Sequence, residues 1–163
     1  MRAFAAACEA VGATRSRLAK RAALVAYLAS LDDASLPVAC TFLAGRPFPP
    51  RDPRSLGLGY AGLRAALAGA AALDPAAIDA ETLRTGDLGT AAERLLAGQQ
   101  HAAAAAEASR RQGDEAEGPD AARTGVTLLD ARAAFDRIAA ARGPGARAAR
   151  LGALLHRASP VEA

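Results

Sequence analysis

At 163 residues and a net charge of +3, the chain is sized for one domain with a core of its own. Its 48 alanines against six aromatic residues favour closely packed helices and argue against a sheet, because alanine is the best helix former and β-branched residues are scarce. Of the 20 basic residues, 19 are arginine and only Lys20 is lysine. Arginine forks match phosphate geometry, yet so small a net charge does not by itself assign a nucleic-acid partner.

Cys8 and Cys40 lie far apart and outside any metal or redox spacing. They are expected as small core residues of a protein in a reducing compartment. The opening Met1–Cys8 stretch, followed at once by Glu9, is too short an apolar run for a signal segment. The longest apolar run, Ala22 to Leu31, is about half a membrane span. The expectation is a soluble, cytoplasmic protein without a membrane partner.

Phe4, Cys8 and Val11 recur at helical spacing and predict a helix over residues 2 to about 11, ended near Gly12. Thr14 or Ser16 can cap a second helix, with Leu24, Val25, Leu28 and Leu31 as its buried stripe. Arg15, Arg17, Lys20 and Arg21 crowd its first turns without an acid, which opposes the helix dipole. Asp32 and Asp33 are expected to cap a third helix carrying Leu36, Val38, Phe42 and Leu43, stopped by Gly45. Four prolines follow within residues 45–54, predicting an ordered loop anchored in the core by Phe48.

A fourth helix is expected over about 60–72, with Leu63 and Leu67 inward. Asp74-Pro75 reads as a cap and first helical position of a fifth, which holds Ile78 and Leu83 and stops near Thr85-Gly86. Thr90 and Glu93 have capping-box spacing, so the sixth helix is expected to start at Ala91, with Asp87 as the alternative, and to run to about Arg111. Residues 112–125 are polar and acidic and read as a mobile loop. Thr127 then caps a helix carrying Leu128, Phe135 and Ile138 that ends at Gly143. The last helix, about 146–157, turns Leu151, Leu154 and Leu155 inward. The expected fold is all-α, a single compact domain of about eight helices.

Catalytic chemistry is sparse. Neither His101 nor His156 has a cysteine or acid at ligand spacing. No serine sits in a nucleophile elbow, and no glycine-rich phosphate loop ending in Lys-Ser/Thr occurs. No catalytic or metal residue is assigned. Duplex binding without sequence preference needs cations and helix N-termini aimed at phosphates. Three places offer them: the Arg15–Arg21 cluster, the turn holding Gly86, Gly89 and Thr90, and the turn of Arg142, Gly143, Gly145, Ala146, Arg147 and Arg150. From Arg142 to Arg157 there are four arginines and no acid. Taken alone, this last turn is open to two readings, a phosphate seat or a helix–helix connector with arginines on its wet face.

The order of segments carries more. Phe42-Leu43-Ala44-Gly45-Arg46-Pro47-Phe48-Pro49-Pro50 precedes Leu56-Gly57-Leu58-Gly59-Tyr60, then Gly86-Asp87-Leu88-Gly89-Thr90-Ala91-Ala92-Glu93, the Thr127-led helix, Gly143-x-Gly145 before Leu151-x-x-Leu154-Leu155, and Ala158–Ala163. Together these resemble the N-terminal DNA-binding domain of ATP-dependent DNA ligases of the bacterial and archaeal replicative type. The resemblance implies an all-helical domain that grips the minor groove of nicked double-stranded DNA in replication, repair and recombination, near the nucleoid. It also implies adenylation and OB domains as partners. The family's turn before the last helix usually continues with a serine and a lysine; Ala146 and Arg150 stand there, losing a hydroxyl and keeping a charge.

The family's nucleophile is the lysine of a K-x-D-G motif. Lys20 lies in Ala-Lys-Arg-Ala and does not match. ATP and Mg are therefore expected to belong to the full-length family enzyme and no cofactor to this chain, which should be inactive alone. The competing reading is a stand-alone helical protein-interaction module.

Overall fold

A computed structural model describes residues 1–111 and 125–158, with the backbone alone for 100–111. The acidic segment read as mobile therefore falls, up to residue 124, outside the described residues. Eight helices and no strand are found among the described residues: α1 (Arg2–Gly12), α2 (Arg17–Ala29), α3 (Ser35–Leu43), α4 (Tyr60–Ala71), α5 (Pro75–Thr85), α6 (Leu88–Arg111), α7 (Leu128–Ala140) and α8 (Pro144–Arg157). The all-α expectation holds.

Two apolar clusters organise the packing. The first gathers Ala7 of α1, Tyr27 of α2, Ala39 of α3 and Leu128 of α7, with Phe4 and Phe42 against them. A chain of edge-on and tilted rings runs through it, from Tyr27 to Phe4 at 6.1 Å, Phe4 to Phe42 at 6.2 Å and Phe42 to Phe135 at 5.3 Å. Each such pair adds about 0.5–1.5 kcal/mol beyond its buried area. The second cluster joins Leu67 of α4, Ile78 of α5 and Ala92 of α6, with Leu155 of α8 packed on it.

The antiparallel pair α7–α8 links the two. α7 packs on α3 and on α8, and α8 lies along α4. The approach of α8 to α4 is close because Gly152 has no side chain; a Cβ there would stand 3.2 Å from the Ala66 carbonyl oxygen.

Several caps follow the sequence. Ser16 Oγ accepts from the Ala19 N–H at 3.3 Å, and Asp74 from the Ala76 N–H at 2.9 Å, with Pro75 first in the helix. Thr127 and Asp130 form a reciprocal capping box on α7. Asp32 rather than Asp33 turns the chain into α3, accepting from the Ser35 N–H at 2.7 Å.

Other expectations are corrected. Val25 is 58% exposed, because it stands seven residues from the exposed Leu18, on the outward face of α2; Tyr27, 200° round the helix from Val25, takes the core position. Leu83 is 88% exposed, since five residues after the buried Ile78 is not the same helix face. Cys8 and Cys40 are exposed; the buried positions are their neighbours Ala7 and Ala39, one step round each helix. α6 begins at Leu88 and not at Ala91, and α8 begins at Pro144, two residues earlier than expected.

Candidate nucleic-acid interface

The two glycine turns singled out from the sequence fold differently. Gly86, with φ +74°, closes α5, its N–H donating to the Thr82 carbonyl at 2.8 Å. Asp87 then caps α6: one carboxylate oxygen accepts from the Thr90 N–H at 2.7 Å and from the Thr90 hydroxyl at 3.0 Å. These bonds, the backbone one foremost, hold the Asp87 carboxyl below its ordinary value. Gly89 lies close to that carboxylate, 3.2 Å from where its Cβ would stand. The turn thus carries its own anion at the helix N-terminus, where an external phosphate would otherwise sit. Gly86, Gly89 and Thr90 are brought together, around an acid.

The turn into α8 carries no such acid. Gly143 is its N-cap at φ +86°, a backbone conformation that favours glycine. Pro144 follows at the first helical position, no side chain caps the end, and the first turn holds no acid. The leading N–H groups of a helix have no partner within it, so those of Gly145 and Ala146 remain open to an anion. Arg142, Ala146 and Arg150 are all exposed.

Arg147 is placed otherwise. It is half-buried, and its guanidinium donates to the Ala141 carbonyl at 3.0 Å and to the Gly57 carbonyl at 3.3 Å. It staples the α7–α8 turn to the loop before α4. Gly57 makes this possible: its φ is +59°, and a Cβ there would stand 2.0 Å from the Arg147 Nη1. Arg17 and Arg21 are exposed on α2 and Arg15 is exposed just before its N-cap Ser16, in the same stretch as the exposed Leu18.

The family model for the DNA ligase N terminus matches residues 1–163. The chain belongs to the N-terminal domain family of ATP-dependent DNA ligases. Among its relatives, a probable DNA ligase of Opitutus terrae is 38% identical over 157 residues, covering 88% of this chain and 15% of that protein. A DNA ligase of Methanosphaerula palustris is 38% identical over 94 residues, 58% of this chain and 17% of that protein. The chain thus spans about a sixth of the length of these relatives.

The chain's one lysine, Lys20, lies in α2 outside any K-x-D-G motif, and no cluster of three or more His, Cys, Asp or Glu side chains suited to a metal occurs among the described residues. His156 spends Nδ1 on the Ala70 carbonyl at 3.2 Å; the side chain of His101 lies outside the described residues. No single helix among the described residues is long and apolar enough to cross a membrane.

One polar assembly was not foreseen. Phe48, buried as expected, has the Arg54 and Arg132 guanidiniums over its ring at 4.6 and 5.2 Å. Asp52 grips Arg54 with both carboxylate oxygens, at 3.0 and 2.6 Å, and Asp136 of α7 completes the set at 2.9 Å from Arg54. The Arg54 fork holds the Asp52 carboxyl down at about 2. The alternation Arg51-Asp52-Pro53-Arg54 is the signal that could have marked it, but its partners Arg132 and Asp136 come from a distant helix. These arginines are occupied in tying the proline-rich loop to α7.

Proposed function

We propose that this chain binds double-stranded DNA without sequence preference, through backbone phosphates reached from the minor-groove side, as the N-terminal domain of an ATP-dependent ligase that seals nicks. The observation that carries the reading is the uncapped, acid-free N-terminus of α8, with exposed Arg142 and Arg150 beside it, in a chain matched along its whole length by the ligase family. A phosphate at this end gains from the helix dipole and from open N–H groups, and the arginines add charge and forked donors. The missing hydroxyl at Ala146 leaves the backbone and the arginines to hold it. The domain's work is to grip and position nicked duplex. Adenylation with ATP and Mg, and service in replication, repair or recombination, belong in this reading to the adenylation and OB domains joined to it.

The test is binding to nicked and intact duplex over a salt series, for the wild-type chain and an Arg142→Gln/Arg150→Gln variant. Affinity should fall steeply with salt, and the variant's log–log slope should be shallower by up to ~0.9 for each lost phosphate contact. Binding that ignores salt and these arginines would overturn the assignment. A second reading, a protein-interaction module, rests on the outward face of α2, where Leu18 and Val25 are exposed. It gains if Leu18→Ser/Val25→Ser abolishes capture of a ligase partner domain while DNA binding stands unchanged.

A further inference from the structure

Beside the α8 turn lies a second cationic feature, on side chains drawn from two helices. Arg137 of α7 and Arg150 and Arg157 of α8 line one groove of about 270 Å³, with Ala134, Ala153 and Leu154 as its remaining walls. The walls are small or apolar, so a strand can approach closely between the three guanidiniums. The only carboxylate paired with them among the described residues is Asp130, 4.0 Å from Arg157. Asp130 serves the Thr127 capping box through Oδ2, at 2.7 Å from the hydroxyl and 3.1 Å from the N–H, and turns Oδ1 to Arg157. Arg137 and Arg150 have no ion pair among the described residues. Three cations therefore share one carboxylate, which leaves the groove with an excess of positive charge.

Register ties the groove to the α8 turn. Ala146, Arg150, Ala153 and Arg157 are spaced four, three and four residues apart, so they form one flank of α8, and all four are exposed. At 1.5 Å per residue, the groove between Arg150 and Arg157 is centred roughly 11 Å along the helix from Ala146. One strand of a duplex advances about 3.4 Å per nucleotide along its axis, so with α8 laid along that axis the distance corresponds to about three nucleotide steps.

We infer that the α7–α8 groove seats a second backbone phosphate of the same DNA strand, about three steps from the one at the α8 N-terminus. The inference rests on the DNA-binding reading above. The ligand is an internal phosphodiester of a continuous strand, held by Arg137 and Arg157 with Arg150 shared between the two seats. The 5′-phosphate of a nick offers similar chemistry, and the test separates the two.

The experiment measures binding of the chain to intact duplex, to nicked duplex with a 5′-phosphate and to nicked duplex without one, from low to high salt. It uses Arg137→Gln/Arg157→Gln, which leaves Arg142 and Arg150 in place, and Arg137→Lys/Arg157→Lys as a charge-retaining control. The expected result is a loss of about 10-fold at 50 mM salt and a slope shallower by ~0.9, equal on all three DNAs, with most of the slope kept by the lysine variant. An unchanged slope in the glutamine variant, while the wild type still binds and responds to Arg142→Gln/Arg150→Gln, would remove the groove and leave the domain's function standing. A loss confined to the 5′-phosphorylated nick would also overturn it, since the groove would then read a chain end. Absence of salt-dependent binding in the wild type would take both readings down together.

Discussion

The turns at Gly86–Thr90 and Gly143–Arg150 look alike in sequence, each a pair of glycines opening a helix, but they differ in who supplies the negative charge. In the first, Asp87 accepts from the Thr90 N–H and hydroxyl, so the positive end of α6 is neutralised from within. In the second, glycine and proline lead into α8 with no capping side chain and no acid in the first turn. An open helix end carries an electrostatic cost that an external anion relieves. A self-capped end has less to offer an external anion. A glycine turn is therefore a poor marker of a phosphate seat unless the position of the nearest acid is read with it.

The largest predicted effect comes from making the second turn resemble the first. Ala146→Glu places a carboxylate in the opening turn of α8, on the flank shared with Arg150. Helix stability should hold or improve slightly, by about 0.3–1 kcal/mol, because the acid complements the dipole. Duplex affinity at low salt should fall about 10-fold, the equivalent of ~1.4 kcal/mol. Fluorescence anisotropy and a thermal melt on the same protein read both quantities. If stability and affinity fell together, the effect would be structural and the electrostatic contrast between the turns would fail.

Arg147 sharpens the comparison from the other side, because a cation beside the open turn is not automatically a DNA contact. Its guanidinium already donates to the Ala141 and Gly57 carbonyls. Arg147→Ala should cost about 1–2 kcal/mol of stability through lost hydrogen bonds while leaving the salt slope of DNA binding close to wild type. Gly57→Ala should cost a similar ~1–2 kcal/mol, since alanine is strained at positive φ and its Cβ would displace the same guanidinium. The double variant should lose less than the sum, by about 0.5–1 kcal/mol, because both changes break one contact. Chemical denaturation of the four proteins completes the cycle. Strict additivity would show that the two residues act separately.

What was legible in the sequence follows from the range of each interaction. Helix number, the Thr127 and Asp74 caps and the burial of Phe48 are set by residues a few positions apart, and they were readable. Val25 and Leu83 are apolar and stand next to a buried stripe without belonging to it, one 200° from Tyr27 and the other 140° from Ile78 around their helices. The start of α6 was a choice between two local caps, Asp87 and Thr90, and the carboxylate, a strong acceptor for the exposed N–H groups, took the place. The Arg147–Gly57 staple and the Arg54–Asp136 and Arg132–Phe48 contacts join residues some eighty to ninety positions apart; no local pattern encodes them. The candidate site shares this division: the open turn at Gly143 was visible, whereas the placing of Arg137 beside Arg150 and Arg157 needed the packing of α7 on α8.

The smallest effect is one of pH, and it separates the self-capped turn from the loop clamp. Hydrogen bonds from Thr90 lower the Asp87 carboxyl, and the Arg54 fork lowers Asp52 to about 2. A carboxyl whose folded value lies below its unfolded value of ~4 binds its proton more readily in the unfolded chain. Its stabilisation is therefore present in full above pH ~4 and is lost as pH falls through the folded value. Asp87→Asn and Asp52→Asn should each melt below the wild type at pH 7, by a small margin because Asp87 is exposed and the Arg54 partner of Asp52 lies at the surface. Both margins should shrink on acidification below pH ~4, with the Asp52 margin persisting toward pH 2. At neutral pH, Asp87→Asn should leave DNA affinity essentially unchanged, because the proposed phosphate seat is the α8 turn. A gain in affinity on removing that charge would mean that the first turn, freed of its own acid, faces the duplex as well.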